Sequence, residues 1–401
     1  MFLGELFHPV LGFLTGWVSL FAGFSAPLAL SSMGCSEYLT SAFPALAGSG
    51  DPTLLKKALA ISLIGILTAI HLRGIEKGAR VQNYLTVGKV VLILVLISTG
   101  FAMGRGEMGN LVQVQAVTQD GADWRVMGLS LMWIMFAFSG WNASAYIGSE
   151  VRDPGRNLPR SLFLGTGIVL LLYLGLNAFF VYAVPPDEAA GVIAIGGLAA
   201  EWTFGPTVEA VFSGLIAFAL LSSISALIIL GPRVYYAMAR DGYFFRSIGR
   251  VNPKTGVPGR SIVLQSLLAV ILVASGTFDQ ILTYMGFCLG IFPILTVLGV
   301  FRLRRVGAGF TVGNKGGTLD QETPEAVKSA ASGPYRMPLY PLPPILFASA
   351  SLLMLVLAFF ERPAESSIAL GTVGLGVPVF FLFRRWHRQA SDTPRAPDTD
   401  S

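Results

Sequence analysis

One stretch of this 401-residue chain puts polar groups where a small zwitterion could be held, and a second puts a lysine at membrane depth. The first is Phe136-Ala137-Phe138-Ser139-Gly140-Trp141-Asn142, set inside a long apolar run. Ser139-Gly140 lowers helix propensity, and Gly140 lets the backbone leave helical geometry cheaply. A helix interrupted there exposes N–H and C=O groups that have no intrahelical partner. The end of the first half-helix would offer carbonyls to an ammonium. The start of the second half would offer N–H groups to a negative group. Phe136, Phe138 and Trp141 could close over an apolar side chain. The same residue types also suit ordinary helix packing inside a membrane.

The second stretch is Gly88-Lys89-Val90-Val91-Leu92-Ile93. Lys89 lies roughly 12 Å into its apolar run at 1.5 Å per residue. A lysine at that depth can snorkel back to the headgroups. It can also stand as a cation within the bundle, carry a proton, or act as a fixed charge where a sodium ion would otherwise sit. Ser222, Ser223 and Ser225 cluster in a further apolar run. Hydroxyls there either bond back to their own helix or serve an ion or substrate. Glu37 and Glu150 fall near the ends of apolar runs, where water reaches them.

No catalytic set assembles. His8, His71 and His387 are scattered, and none pairs with another at ligand spacing. Cys35 and Cys288 define neither a disulfide framework nor a zinc spacing. Gly104-Arg105-Gly106-Glu107-Met108-Gly109 matches G-x-G-x-x-G, but that fingerprint needs a strand before it and a helix opening at it. Asn142-Ala143-Ser144 matches a glycosylation acceptor inside an apolar run. The sequence offers no catalytic residue, no metal site and no cofactor motif.

The elements that must position these residues are membrane helices. Charged residues make up 13% of the chain, against about 25% in soluble domains. A crossing helix needs about 20 apolar residues. Such runs occur near 9–33, 54–72, 81–103, 126–149, 161–184, 207–231, 261–276, 278–301, 340–360 and 366–383. Of the 28 lysines and arginines, only Lys56, Lys57, Arg105, Arg125 and Arg362 fall in one set of alternate connections, and Lys89 falls in a span. The rest lie in the other set. Positive-inside sorting then puts both termini in the cytoplasm of a multi-pass protein of the inner or plasma membrane. The basic loops are explained by topology beside anionic headgroups, without nucleic acid. Segment 185–200 reads as a short interfacial helix. Segments 307–334 and 388–401 read as mobile cytoplasmic polypeptide.

Phe136–Asn142, continuing through Ala145 to Arg160, resembles the sixth helix and following loop of amino acid–polyamine–organocation (APC) permeases. Within that family it is most similar to the L-type amino acid transporters and their bacterial relatives. Gly231-Pro232-Arg233-Val234-Tyr235-Tyr236-Ala237-Met238-Ala239-Arg240-Asp241-Gly242 resembles the end of the family's eighth helix. The stretch from His8 to Trp17 resembles the start of its third.

The resemblance implies an all-α LeuT-type fold of two inverted repeats plus two further helices. Residues 1–103 would be the remainder of the first repeat, 125–302 the second, 340–384 the additional pair, and 385–401 a polar tail. It places Phe136 at a gating aromatic. Ala137 and Ser139 would contact a substrate amino group, with Asn142 close by. Lys89 looks like the fifth-helix lysine that in many relatives occupies a sodium-site position, and Ser222 and Ser223 border that position. It also implies that the family's first two helices are missing here, and Gly48-Ser49-Gly50 does not replace the glycine-rich break of the first.

The function so implied is secondary transport of amino acids by alternating access. No acidic residue in 136–142 favours a cationic substrate, so neutral amino acids are expected. The partners are the amino acid, the bilayer, and protons or a counter-transported amino acid. The competing class is a non-transporting membrane scaffold or partner subunit.

Overall fold

The computed structural model describes residues 2–47, 51–74, 78–103, 105–112, 123–140, 151, 153–306, 337 and 339–391. Every regular element among them is helical. In chain order these are α1 (Phe2–Leu6), α2 (Pro9–Val18), a π-helical segment (Ser19–Ser25), α3 (Ala26–Ala42), α4 (Pro52–Leu72), α5 (Gly78–Met103), α6 (Met108–Val112) and α7 (Trp124–Ala137). There follow α8 (Pro154–Ala183), α9 (Pro186–Ala189), α10 (Ile195–Phe204), α11 (Pro206–Arg240), α12 (Gly259–Ser275), α13 (Phe278–Val306), α14 (Leu342–Glu361) and α15 (Pro363–Ser391). A 3₁₀ turn covers Pro44–Ala47. Among the described residues, eight helical spans are long and apolar enough to cross a membrane, and α7 and α12 are shorter apolar helices. All ten expected runs are therefore at least partly helical, and the protein is an all-α polytopic membrane protein.

Boundaries follow local chemistry. Asp51 and Asp123 cap α4 and α7, accepting from Thr53 N–H at 2.8 Å and Arg125 N–H at 2.9 Å. The run expected over 9–33 continues to Ala42. Ser32, Ser36 and Thr40 donate to carbonyls of their own helix, so polar residues end the hydropathy signal without ending the helix. Glu37 sits in this extension and pairs with Lys56 of α4 at 2.6 Å. The run expected to stop at 231 continues through Pro232 to Arg240. Gln265 of α12 donates to the Leu227 carbonyl at 3.0 Å, one turn before the proline. The 185–200 segment forms two short helices, α9 and α10. α15 reaches Ser391, so residues 385–391 are helical where a tail was expected. Gly48-Ser49-Gly50, Trp141, Asn142, Glu150, segment 307–334 and residues 392–401 lie outside the described residues.

The π-helical segment was not expected. Pro27 has no N–H to give to the preceding turn. The Ala26 N–H reaches five residues back to Phe21, and the Ser25 hydroxyl takes the Leu20 carbonyl at 2.6 Å. The widened turn packs against α11, α12 and α13.

The main core joins α2, α3, α4, α11, α12 and α13, with α7, α14 and α15 closing over it. A smaller cluster holds Leu96 of α5, Phe179 and Tyr182 of α8, and Ala199 of α10. The most apolar stretches of α5 and α8 are only 11% and 6% buried inside the protein, against 61% for the Pro9–Ala42 span. The satellite thus touches the core chiefly through α10 and α11.

The α11–α12 crossing tests this packing. A Cβ at Gly231 would strike Gln265 Oε1 and stand 2.8 Å from Phe24 Cβ. Gly231→Ala is expected to destabilise the detergent-purified protein by about 1–3 kcal/mol through overpacking, read as a fall in thermal midpoint. An unchanged midpoint would show that the crossing is looser than described.

Candidate functional site

α7 stops inside its apolar run. The Phe138 N–H still reaches Ile134 at 3.2 Å, but the Ser139 N–H turns to Phe136 at 2.8 Å, a tightened last turn. Gly140 then adopts φ +96°, a backbone that side chains rarely take. The helix therefore ends at the serine–glycine step singled out in the sequence. The carbonyls of its last turn form a negative pole.

One of those carbonyls has a partner from another helix. The Tyr173 hydroxyl of α8 donates to the Ala137 carbonyl at 3.0 Å. The same ring meets Phe138 edge-on, with centroids 5.1 Å apart and planes at 74°. Phe136 turns the other way, half-buried against the main core. Trp133 packs on that face one turn earlier, and its enclosed indole N–H has no partner among the described residues. Ala137, Ser139 and Gly140 are exposed. The end of α7 is thus lined by rings on two sides, with its small residues open.

Lys89 and Ser223 come together. Lys89 Nζ donates to Ser223 Oγ at 3.0 Å, both half-buried. The contact joins the satellite helix α5 to the core helix α11. Ser222 is buried beside it at 5% exposure. Two turns of α4 supply further polar contacts: His71 Nε2 and Ser225 Oγ share a hydrogen bond at 2.9 Å, and Thr68 Oγ1 and Ser266 Oγ another at 2.7 Å. Among the described residues no hydrogen bond links this seam to residues 136–140.

Sequence reasoning passed over Tyr173 and His71. A lone tyrosine hydroxyl in an apolar helix must find an acceptor, which was a usable signal. Thr68 and His71 lie three apart and so share one face of α4. Neither signal names its partner, because the partners are on other helices.

Residues 1–377 match a family described as amino acid permease. The b(0,+)-type amino acid transporter 1 of Mus musculus is 24% identical over 390 residues, covering 95% of this chain and 73% of that protein. Its namesake in Oryctolagus cuniculus is 26% identical over 310 residues, 76% of this chain and 61% of that protein. The large neutral amino acids transporter small subunit 2 of Mus musculus is 23% identical over 396 residues, 97% of this chain and 68% of that protein. The chain therefore spans roughly two thirds of the length of these relatives.

Three substitutions probe the two contacts. Lys89→Met and Ser223→Ala, alone and together, are expected to show a coupling of about 1 kcal/mol in thermal unfolding; additive losses would mean that the hydrogen bond contributes nothing. Tyr173→Phe leaves the exposed Ala137 carbonyl without this donor, and a loss of about 0.5–1.5 kcal/mol is expected. Retention of the wild-type midpoint would show that this carbonyl is satisfied in another way.

Proposed function

Because the chain belongs to the amino acid permease family, we propose that it is a secondary transporter moving amino acids across a membrane by alternating access. The reading rests on one observation, the stop of α7 at Ala137 within an apolar run. Backbone that leaves a helix at membrane depth needs protein or a water-lined cavity around it. Tyr173 meets part of that need. A substrate ammonium at the negative pole would meet more of it. In this reading Ala137 and Ser139 contact the amino group. Phe136 gates the site, while Phe138 and Trp141 enclose the side chain. Gly140 and Asn142 complete the pocket. Transporter sites of this kind lie at broken helices near the midplane, and rocking of one repeat against the other opens each side in turn.

The absence of any acidic residue from 136–142 supports neutral substrates, as does the name of the large neutral amino acids transporter among the relatives. Lys89, with Ser222 and Ser223, is the proposed coupling group, as a proton carrier or as a fixed charge where exchange operates. Its place between satellite and core supports that role, since relative movement of α5 and α11 would break the Lys89–Ser223 bond. The distribution of lysine and arginine supports cytoplasmic termini in an inner or plasma membrane. The proposed architecture is that of inverted repeats, with α14 and α15 as the additional pair.

Proteoliposomes test the reading. The chain is expected to take up radiolabelled leucine in preference to arginine, and no leucine flux into sealed vesicles would overturn it. Preloading with leucine accelerates uptake in an exchanger, whereas an inward proton gradient drives it in a proton-coupled carrier. Phe136→Ala is expected to cut the initial rate about tenfold, a loss of about 1.4 kcal/mol of transition-state stabilisation, with the reconstituted amount unchanged. An unchanged rate would remove Phe136 from the gate.

A further inference from the structure

At the end of the bundle where α4 stops and α12 starts, a cavity of about 690 Å³ opens between Leu72, the 247–252 segment and the first turn of α12. Its size falls within the range of small-molecule sites, and the transport reading makes no use of it. Ser247, Asn252 and Gly259 contribute neutral polar or backbone surface to its lining. Leu72, Ile248, Val251 and Val263 are apolar, and Arg250 and Arg260 are cationic.

The arginines sit at the rim. Arg260 Nη1 donates to the Ser247 carbonyl at 3.5 Å, which fixes one side of its guanidinium. Arg250 is exposed. The ion pair between described residues joins Lys56 and Glu37, so no described carboxylate neutralises either arginine. The segment from Gly242 to Gly259 contains no aspartate or glutamate but adds Arg246 and Lys254. Gly259 and Arg260 open α12, so the positive pole of a 17-residue helix faces the same space.

The apolar wall points toward the membrane. Leu72 is the last residue of a crossing helix, and Val263, one turn into α12, is 47% exposed. With α4 spanning a bilayer, its last residue would lie near headgroup level, and Val263 lies one turn into α12. A free phosphate would use only the arginines; a lipid would use the apolar wall as well. We propose that this cavity binds an anionic glycerophospholipid, with its phosphate between Arg250 and Arg260 and the upper part of an acyl chain along Leu72 and Val263. Arginine suits a phosphate because its planar fork donates in pairs. The bound lipid would bridge the ends of α4 and α12.

Native mass spectrometry of the full chain, purified in a neutral detergent, tests the proposal. Dioleoyl phosphatidylglycerol and dioleoyl phosphatidylcholine are offered at equal concentration, with inorganic phosphate as competitor. Phosphatidylglycerol is expected to be retained about tenfold over phosphatidylcholine. Arg250→Gln, at an exposed side chain, and Val263→Trp, which fills the groove, should each abolish that preference. Inorganic phosphate at lipid concentration should not displace the lipid. Equal retention of the two lipids, a preference unaltered by either substitution, or displacement by phosphate would overturn the proposal.

Discussion

A polar group surrounded by apolar helices is costly unless another polar group answers it. That constraint organises the structure. At three places where the backbone departs from regular α-helix, a side chain from the same or a neighbouring helix reaches a nearby carbonyl. Ser25 answers the π-helical turn. Gln265 reaches the carbonyl one turn before Pro232. Tyr173 answers the end of α7. Each contact satisfies a group that lipid could not, and all but the first also fix how two helices sit against each other.

The end of α7 differs from the others in what remains open. The π-helical turn and the Pro232 turn are enclosed in the core, and their helices continue. At Ala137 the helix stops, and Ala137, Ser139 and Gly140 stay exposed. A carbonyl pole beside two aromatic rings suits an amino acid, which brings an ammonium and a side chain to the same place. The Lys89–Ser223 bond obeys the same constraint at the joint between the satellite and the core. A cation held by one hydroxyl is an arrangement that a change in helix position would undo. This is why we propose a coupling role for the α5–α11 contact beyond stability.

Much of the fold was legible because apolar runs and basic connections alternate so regularly along the chain. The stop at Ser139-Gly140 was legible because it rests on local backbone preferences. The unexpected features rest on partners distant in sequence. Hydropathy fell at Gly34 and Glu37 although the helix ran on to Ala42, since serine and threonine hydroxyls bond back to their own turn. Pro232 read as an end, whereas the helix continues to Arg240, with Gln265 of another helix on the Leu227 carbonyl. The π-helical turn needed Ser25 and Pro27 to act together. For Lys89, a tie to Ser223 was not separable from snorkelling until α5 and α11 were placed. His71 was set aside for lack of a second histidine, whereas its partner is Ser225.

The central claim is that the open end of α7 is where an amino acid sits. Hydrogen–deuterium exchange of the lipid-nanodisc protein, with and without saturating leucine, tests it most directly. The account predicts that leucine slows exchange in the segment from Phe136 to Gly140 more than in any other transmembrane segment. Exchange there that is unchanged by leucine, with protection appearing on a different helix, would contradict it.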